Sequence, residues 1–143
     1  MSKGIVEHIN FRIAVSRIDD WSDKAFKERT ELYPDDAYAF VFYGRSLTKL
    51  DRYEEAASVF KKATVIGPDN ANAFYELGVT YWKLNNFEES EKALKKAVEL
   101  NPNSIDTFKM LAILYLDFRM YKEAEEAVKQ INKLIELFAT WHD

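Results

Sequence analysis

The chain has 143 residues, of which 48% are hydrophobic, 15% aromatic and 31% charged, with a formal net charge of −4. This composition is typical of one globular domain and excludes a disordered chain, while the lack of a basic surplus argues against nucleic acid as a partner. Without cysteine the chain has no disulfides, thiolate nucleophiles or cysteine-ligated metals. It also shows neither a signal-peptide core nor an apolar run of membrane-spanning length, so we expect a cytoplasmic protein without membrane insertion.

The N-terminal segment, residues 5–16, fits two patterns. Ile5, Ile9 and Ile13 recur every four residues, as on one face of a helix. Apolar residues also alternate with polar or small ones, as in a strand, at Ile9, Phe11, Ile13 and Val15. We favour a helix because a lone strand would have no sheet to join. Its partner would be a second helix from Ser22 to Leu32, with Ala25, Phe26, Arg29 and Leu32 facing inward.

Three prolines, Pro34, Pro68 and Pro102, are the only prolines in the chain, and they are evenly spaced by 34 residues. The sequence after each proline repeats as well. A large apolar residue is followed four positions later by a small one in three pairs: Phe40 and Gly44, Phe74 and Gly78, Phe108 and Ala112. A fixed period of this size predicts a stack of identical supersecondary units, and such stacks usually bind other chains.

Within each unit the apolar residues follow helical spacing twice, with a break between the two runs. The first helix of each unit follows a residue type that favours N-caps: Asp36, Asn70 and Ser104. The breaks fall at Asp51-Arg52, Asn85-Asn86 and Arg119-Met120. Each unit is therefore predicted to be an antiparallel helix hairpin. Small residues on its facing helices would let the two backbones approach, at Gly44 and Ala56, Gly78 and Ser90, and Ala112 and Ala124.

In these features the units resemble tetratricopeptide repeats. The resemblance is good in the repeats beginning near Ala37 and Ala71 and fair in the one beginning near Ile105, which has no final proline. It implies an all-α fold, a right-handed superhelical solenoid of about eight helices in one domain over residues 1–143. The implied units are a degenerate N-terminal hairpin at 1–34, repeats at 35–68, 69–102 and 103–136, and a C-terminal helix extension at 137–143.

By the same resemblance, the first helices of successive repeats line a groove that holds a peptide or helix of a protein partner. The implied groove residues are Tyr38, Val41, Phe42, Arg45, Asn72, Tyr75, Glu76, Val79, Trp82, Lys83, Asp106, Lys109, Met110, Ile113 and Leu116. Most are apolar or aromatic and are not required for the hairpin core. An apolar or amphipathic segment is therefore the ligand that this surface predicts. The alternative is that the aromatic residues thicken a small core or contact the chain's own N-terminal helix.

One mode of this family is not expected here. Members that bind the acidic C-terminal tail of chaperones use a cluster of lysine, arginine and asparagine in the groove. The matching positions in this chain hold Val41, Arg45, Glu76, Asp106 and Met110. Two carboxylates at these positions would repel an acidic tail, so we expect no carboxylate clamp.

The C-terminal segment from Tyr121 continues as one amphipathic helix without a proline stop. Its apolar stripe includes Ile131, Leu134, Ile135, Phe138 and Trp141. This stripe either packs back on the last hairpin as a cap or forms a homodimer seam. The alternative to a protein that binds a partner in its groove is therefore a structural protein that self-assembles through this helix or through the N-terminal hairpin.

Catalytic features are weak throughout the sequence. His8 and His142 stand near opposite ends, without a carboxylate at triad or metal-ligand spacing. The four glycines form no phosphate-binding loop. We therefore expect no catalytic residues, metal or cofactor, and a non-enzymatic adaptor, assembly factor or chaperone.

Overall fold

The protein is all-helical over residues 23–141, which are the residues that the computed structural model describes. The helices are α1 (residues 23–32), α2 (Ala37–Lys49), α3 (Tyr53–Ile66), α4 (Ala71–Lys83), α5 (Phe87–Leu100), α6 (Ile105–Asp117) and α7 (Tyr121–Trp141). No strand occurs in this range, so the predicted all-α class is confirmed. These seven helices agree with the expected number of about eight, and the predicted helix over residues 5–16 lies outside the described residues.

The first helix of each hairpin begins at the predicted cap. The Asp36 carboxylate accepts a hydrogen bond from the backbone N–H of Tyr38, and Asn70 and Ser104 cap α4 and α6 in the same manner. Such a cap satisfies one of the backbone donors left free at the start of a helix. The second helices have no side-chain cap, but acidic residues occupy the first turn of α3 and α5, where they complement the helix dipole.

The turns inside the three hairpins share one backbone conformation. Asp51, Asn85 and Arg119 are the described non-glycine residues with positive φ, at 57°, 58° and 59°. After the first of these, the N–H of Arg52 donates to the carbonyl of Leu47 at 3.0 Å. Equivalent bonds of 2.9 and 2.8 Å run from Asn86 to Tyr81 and from Met120 to Tyr115. This bond pattern is a Schellman motif, which ends the first helix and reverses the chain.

Glycine on the first helix makes room for a large side chain on the second. A Cβ on Gly44 would lie 2.4 Å from the Phe60 ring, and a Cβ on Gly78 would lie 2.6 Å from Cγ of Leu94. Both large side chains are fully buried. Ser90 also contacts this helix directly, because its hydroxyl donates to the carbonyl of Gly78 at 2.7 Å. The predicted close approach of the helices is therefore present.

The helices are arranged as a solenoid whose two faces differ. Within residues 23–141, α4 contacts both α2 and α6, whereas α3 does not contact α5 and α5 does not contact α7. The first helices therefore converge on one face, called the first-helix face, and the second helices splay apart on the opposite, second-helix face. Each second helix instead packs against the first helix of the following repeat, which makes the core continuous.

Helix α1 packs against α2 through a different set of residues than expected. Phe26 does face inward and stacks on Phe42, with ring centroids 5.9 Å apart. Thr30, one turn later, is buried, but Leu32 is 74% exposed and Arg29 lies over the Tyr33 ring instead of inside. The inward orientation predicted for Arg29 and Leu32 is wrong. Phe26 and Thr30, four residues apart, define the helix face that contacts α2, and Leu32 lies about 200° around the helix from Thr30, so it faces away.

Candidate functional site

The first-helix face brings together side chains from α2, α4 and α6. Among the residues predicted for this face, four apolar ones are exposed: Tyr38, Phe42, Ile113 and Leu116. Four polar or charged ones are exposed as well: Asn72, Lys83, Asp106 and Lys109. Arg45, Tyr75, Glu76, Val79, Trp82 and Met110 are half-buried. The exposed apolar residues thus lie on α2 and α6, on either side of a more polar α4.

Val41 is the one residue of this set that does not reach the surface. It is 2% exposed and belongs to the apolar core formed by α2, α3 and α4. Its equivalents in the next two repeats, Tyr75 and Lys109, are half-buried and exposed. The expectation that Val41 contacts a partner is therefore corrected, because the neighbours of α2 cover a position that the later repeats leave open.

An ion pair crosses the centre of the first-helix face. Nε of Arg45 on α2 donates to Oε1 of Glu76 on α4 at 2.8 Å. The guanidinium of Arg45 also lies 5.9 Å from the centroid of the Phe42 ring, within the range of a cation–π contact. This pair joins the first two repeats and places two charged groups where the sequence suggested a mainly apolar groove.

A polar recess of about 200 Å³ continues from this ion pair toward α6. Its lining includes Arg45, Asn72, Tyr75, Glu76 and Asp106. Burial raises the pKa of the Tyr75 hydroxyl, and the carboxylates of Asp106 and Glu76 raise that pKa further. The recess therefore carries two carboxylates, which disfavour an anionic ligand at this point of the face.

Trp82 lies on the first-helix face and also contributes to the packing of the fold. Its Nε1 donates to Oδ2 of Asp117, at the end of α6, at a distance of 2.6 Å. The ring packs at the edge of the core that α5, α6 and α7 share, and Nζ of Lys83 lies 5.1 Å from its centroid. The expectation that Trp82 is not needed for packing is therefore wrong. The sequence did not indicate Asp117 as the partner, because Asp117 lies 35 positions after Trp82, one more than the 34-residue period.

The C-terminal helix carries a second exposed apolar surface. Of the predicted seam, Ile135 and Phe138 are about half exposed and Trp141 is 86% exposed, while Ile131 is half-buried. Leu134 is buried inside the chain, so its expected role as a seam residue is corrected. Leu137, which was not predicted, is exposed beside Phe138. Of the helices α2 to α6, only α6 contacts α7, which leaves the end of α7 uncovered by these helices.

Groupings of residues suited to metal binding are not found in the described part of the chain. No three histidine, cysteine, aspartate or glutamate side chains between residues 23 and 141 lie close enough to hold an ion. Both histidines, His8 and His142, fall outside the described range. None of the described helices combines the length and the apolar character required to cross a membrane.

Comparisons with known protein families agree on the repeat. A model described as TPR repeat matches residues 44–85, and two models described as tetratricopeptide repeat match residues 71–104 and 93–126. Together these matches span residues 44–126, which contain the hairpin of α4 and α5 in full and part of the hairpins before and after it. No curated protein sequence matches the chain significantly.

Solved structures with the same arrangement of helices include several of MamA. The MamA RS-1 ArsTM double mutant is 25% identical with a TM-score of 0.80, over 90% of this chain and 73% of that one. MamA MSR-1 C2 is 24% identical with a TM-score of 0.74, over 86% of this chain and 71% of that one. A crystal structure of MamA at 20% identity has a TM-score of 0.81, over 85% and 71% of the two chains. Likeness at these identities concerns the fold.

Proposed function

Because the chain belongs to the tetratricopeptide repeat family, we propose that it is a non-enzymatic interaction module that binds an apolar or amphipathic segment of a protein on its first-helix face. Repeats of this family support a role in protein–protein interaction. The observation that carries the finer proposal is the exposure of Ile113 and Leu116, at 39% and 51%, on α6. Exposed apolar residues that lie together on one face are typical of interaction sites, whereas single scattered ones are normal on any protein surface.

The layout of the face suggests how such a segment would bind. Ile113 and Leu116 are three residues apart on α6, so they form one apolar edge, with Met110 one turn before them. Tyr38 and Phe42 form a second apolar edge on α2. Between the edges lie the Arg45–Glu76 ion pair and the polar recess. An amphipathic helix with apolar side chains toward the edges and polar groups toward the centre would match this layout.

The alternative function is homo-oligomerisation through the end of α7. The observation in its favour is the cluster of exposed large side chains at Ile135, Leu137, Phe138 and Trp141. A second copy that covered this cluster would bury a large apolar area. Burial of apolar surface stabilises the complex by roughly 25 cal/mol for each Å² removed from water. This alternative predicts a molecular mass in solution above that of one chain.

The proposal is tested with variants that place aspartate on opposite faces of the solenoid. Ile113→Asp combined with Leu116→Asp places charge on the first-helix face, and Val65→Asp is the control because Val65 is exposed on α3 at the second-helix face. Each is used to capture partners from a lysate of the source cells, and circular dichroism verifies that each remains helical. A protein retained by the wild type and the control, but lost by the double variant, supports the proposal.

Two other outcomes contradict the proposal. If the double variant and the control retain the same proteins, the α6 edge is not the binding surface. If the wild type retains only itself, and Phe138→Asp with Trp141→Asp lowers its mass in light scattering, self-assembly through α7 replaces the interaction module as the account of this chain.

A further inference from the structure

A cleft on the second-helix face separates α3 from α5. The two helices do not contact each other, so side chains of α4 are visible between them. Phe74, Leu77 and Tyr81 of α4, with Ala93 of α5, form the floor of this cleft, whose volume is about 500 Å³. Phe74 and Tyr81 are only half-buried, so apolar surface is open to a ligand. The volume is in the range of small-ligand pockets and admits one or two large side chains.

The rim of the cleft is mainly cationic. Lys61 of α3 and three lysines of α5, Lys92, Lys95 and Lys96, surround the floor, against two glutamates, Glu89 and Glu99. The chain as a whole has a net charge of −4, so this local surplus of lysine runs against its overall composition. Lys95 pairs with Glu91 at 3.5 Å and Lys96 pairs with Glu99 at 3.1 Å. The two lysine side chains are 63% and 40% exposed, and ion pairs of such solvated cations compete weakly with a charged ligand.

The equivalent cleft one repeat later provides an internal comparison. It has the same type of floor, made of Phe108, Leu111, Tyr115 and Ala127. Its rim, however, contains Glu126 and Gln130 at the positions of Lys92 and Lys96, and its volume is only about 200 Å³. The floor is therefore a property of the repeat. Lysine at positions 92 and 96 is specific to the cleft between α3 and α5, whereas Lys61 and Lys95 have lysine equivalents one repeat later, Lys95 and Lys129. Packing of the hairpins does not require lysine at positions 92 and 96.

We propose that the cleft between α3 and α5 is a second binding site, which takes an acidic protein segment carrying one aromatic or large aliphatic side chain. The apolar side chain lies on Phe74, Leu77 and Tyr81, and the carboxylates around it approach the rim lysines. Charge complementarity selects this occupant, because lysines that surround an apolar floor favour an anion with an apolar body. The site is separate from the first-helix face and does not depend on it.

The test compares short labelled peptides by fluorescence anisotropy. The probe contains aspartate and glutamate around one central tryptophan; one control peptide replaces the tryptophan by alanine, and another replaces the acidic residues by their amides. The protein variant is Lys92→Glu with Lys96→Gln, which installs the residues of the next repeat. The control is Lys122→Glu with Lys133→Gln, which makes the same change of charge at exposed positions on α7.

Wild type and control are expected to bind the probe with similar affinity, and Lys92→Glu with Lys96→Gln is expected to lose about tenfold or more. Both control peptides should bind more weakly than the probe. The proposal is overturned if both protein variants lose affinity equally, since net charge alone would then explain binding. It is overturned as well if the alanine peptide binds as tightly as the probe, or if wild type shows no binding at millimolar peptide.

One result would change the occupant. If wild type associates with itself and Lys92→Glu with Lys96→Gln restores the monomer, the cleft binds a second copy of the chain instead of an acidic partner. Ile113→Asp with Leu116→Asp distinguishes binding in the cleft from binding on the first-helix face. That variant should bind the probe normally, and a loss of binding would place the probe on the first-helix face and contradict a separate site.

Discussion

Arg45 of α2 and Glu76 of α4 form an ion pair of 2.8 Å across the boundary between two repeats, at the centre of the first-helix face. The side chains are 43% and 19% exposed, so the carboxylate is the more buried partner. The two residues thus link neighbouring hairpins and also set the polarity of the face that we propose binds a partner. The contacts of the two residues lead to the first prediction.

Removing Arg45 should cost more stability than neutralising Glu76. Arg45→Met leaves Glu76 without its partner and beside the recess that holds Asp106, whereas Glu76→Gln leaves Arg45, the more exposed of the two, which water can solvate. We expect a loss of about 1 kcal/mol for Arg45→Met and about half of that for Glu76→Gln, measured by urea unfolding. Equal losses, or no coupling between the two sites in the double variant, would contradict this account.

The space at Gly78 is expected to limit the size of the side chain that faces it. Gly78→Ala gains helix propensity, but its new Cβ would meet Cγ of Leu94 at 2.6 Å, so a net loss of about 1–3 kcal/mol is expected. The third repeat has Ala112 and Val128 at these two positions. The double variant Gly78→Ala with Leu94→Val should therefore lose less free energy of unfolding than the sum of the losses of the two single variants. Additive losses in urea unfolding would show that the contact is not limiting.

Arg119 occupies the left-handed region of backbone conformation, at a φ of 59°, although arginine rarely adopts this region. The equivalent residues, Asp51 and Asn85, are of types that adopt this region more readily. Arg119→Asn should therefore raise the free energy of unfolding by about 0.5–1 kcal/mol, and the control Asn85→Arg should lower it by a similar amount. If thermal unfolding shows no change or the opposite order, the turns do not carry this strain.

Tyr115 should make the fold sensitive to alkaline pH. Burial, and then the neighbouring Glu91 carboxylate, raise the pKa of the Tyr115 hydroxyl above its ordinary value of 10.0. The unfolded chain therefore releases this proton at a lower pH than the folded chain. The associated stability is fully present below about pH 10 and is lost as pH rises above it.

The measurement is urea unfolding at neutral pH and above about pH 10, for wild type and for Tyr115→Phe. The variant should lose less stability than wild type between the two conditions. Some loss remains, because Tyr43 and Tyr75 also have raised pKa values. An identical alkaline loss in both proteins would show that Tyr115 does not cause it.

Features that depend only on neighbours along the chain were predictable from the sequence. The caps at Asp36, Asn70 and Ser104 and the three turns were correctly placed, because each depends on a few adjacent residues that recur with the period. The small residues at Gly44 and Gly78 were recognised, although the side chains that need the space, Phe60 and Leu94, were not.

Features that depend on neighbouring helices were less predictable. Periodicity assigns equivalent residues the same surroundings, yet Val41, Tyr75 and Lys109 are buried, half-buried and exposed in turn. The contact between Trp82 and Asp117 departs from the period by one residue, so no repeat pattern indicates it. The cleft between α3 and α5 exists because the second helices splay apart, and the sequence does not show that separation.

The most direct test of the central claim is amide hydrogen exchange of the chain alone and with the partner captured by wild type. We predict slower exchange on binding in α2 and α6, centred on the turn that carries Ile113 and Leu116, with little change in α3 and α5. Protection confined to α3 and α5, or to the end of α7, would contradict binding on the first-helix face.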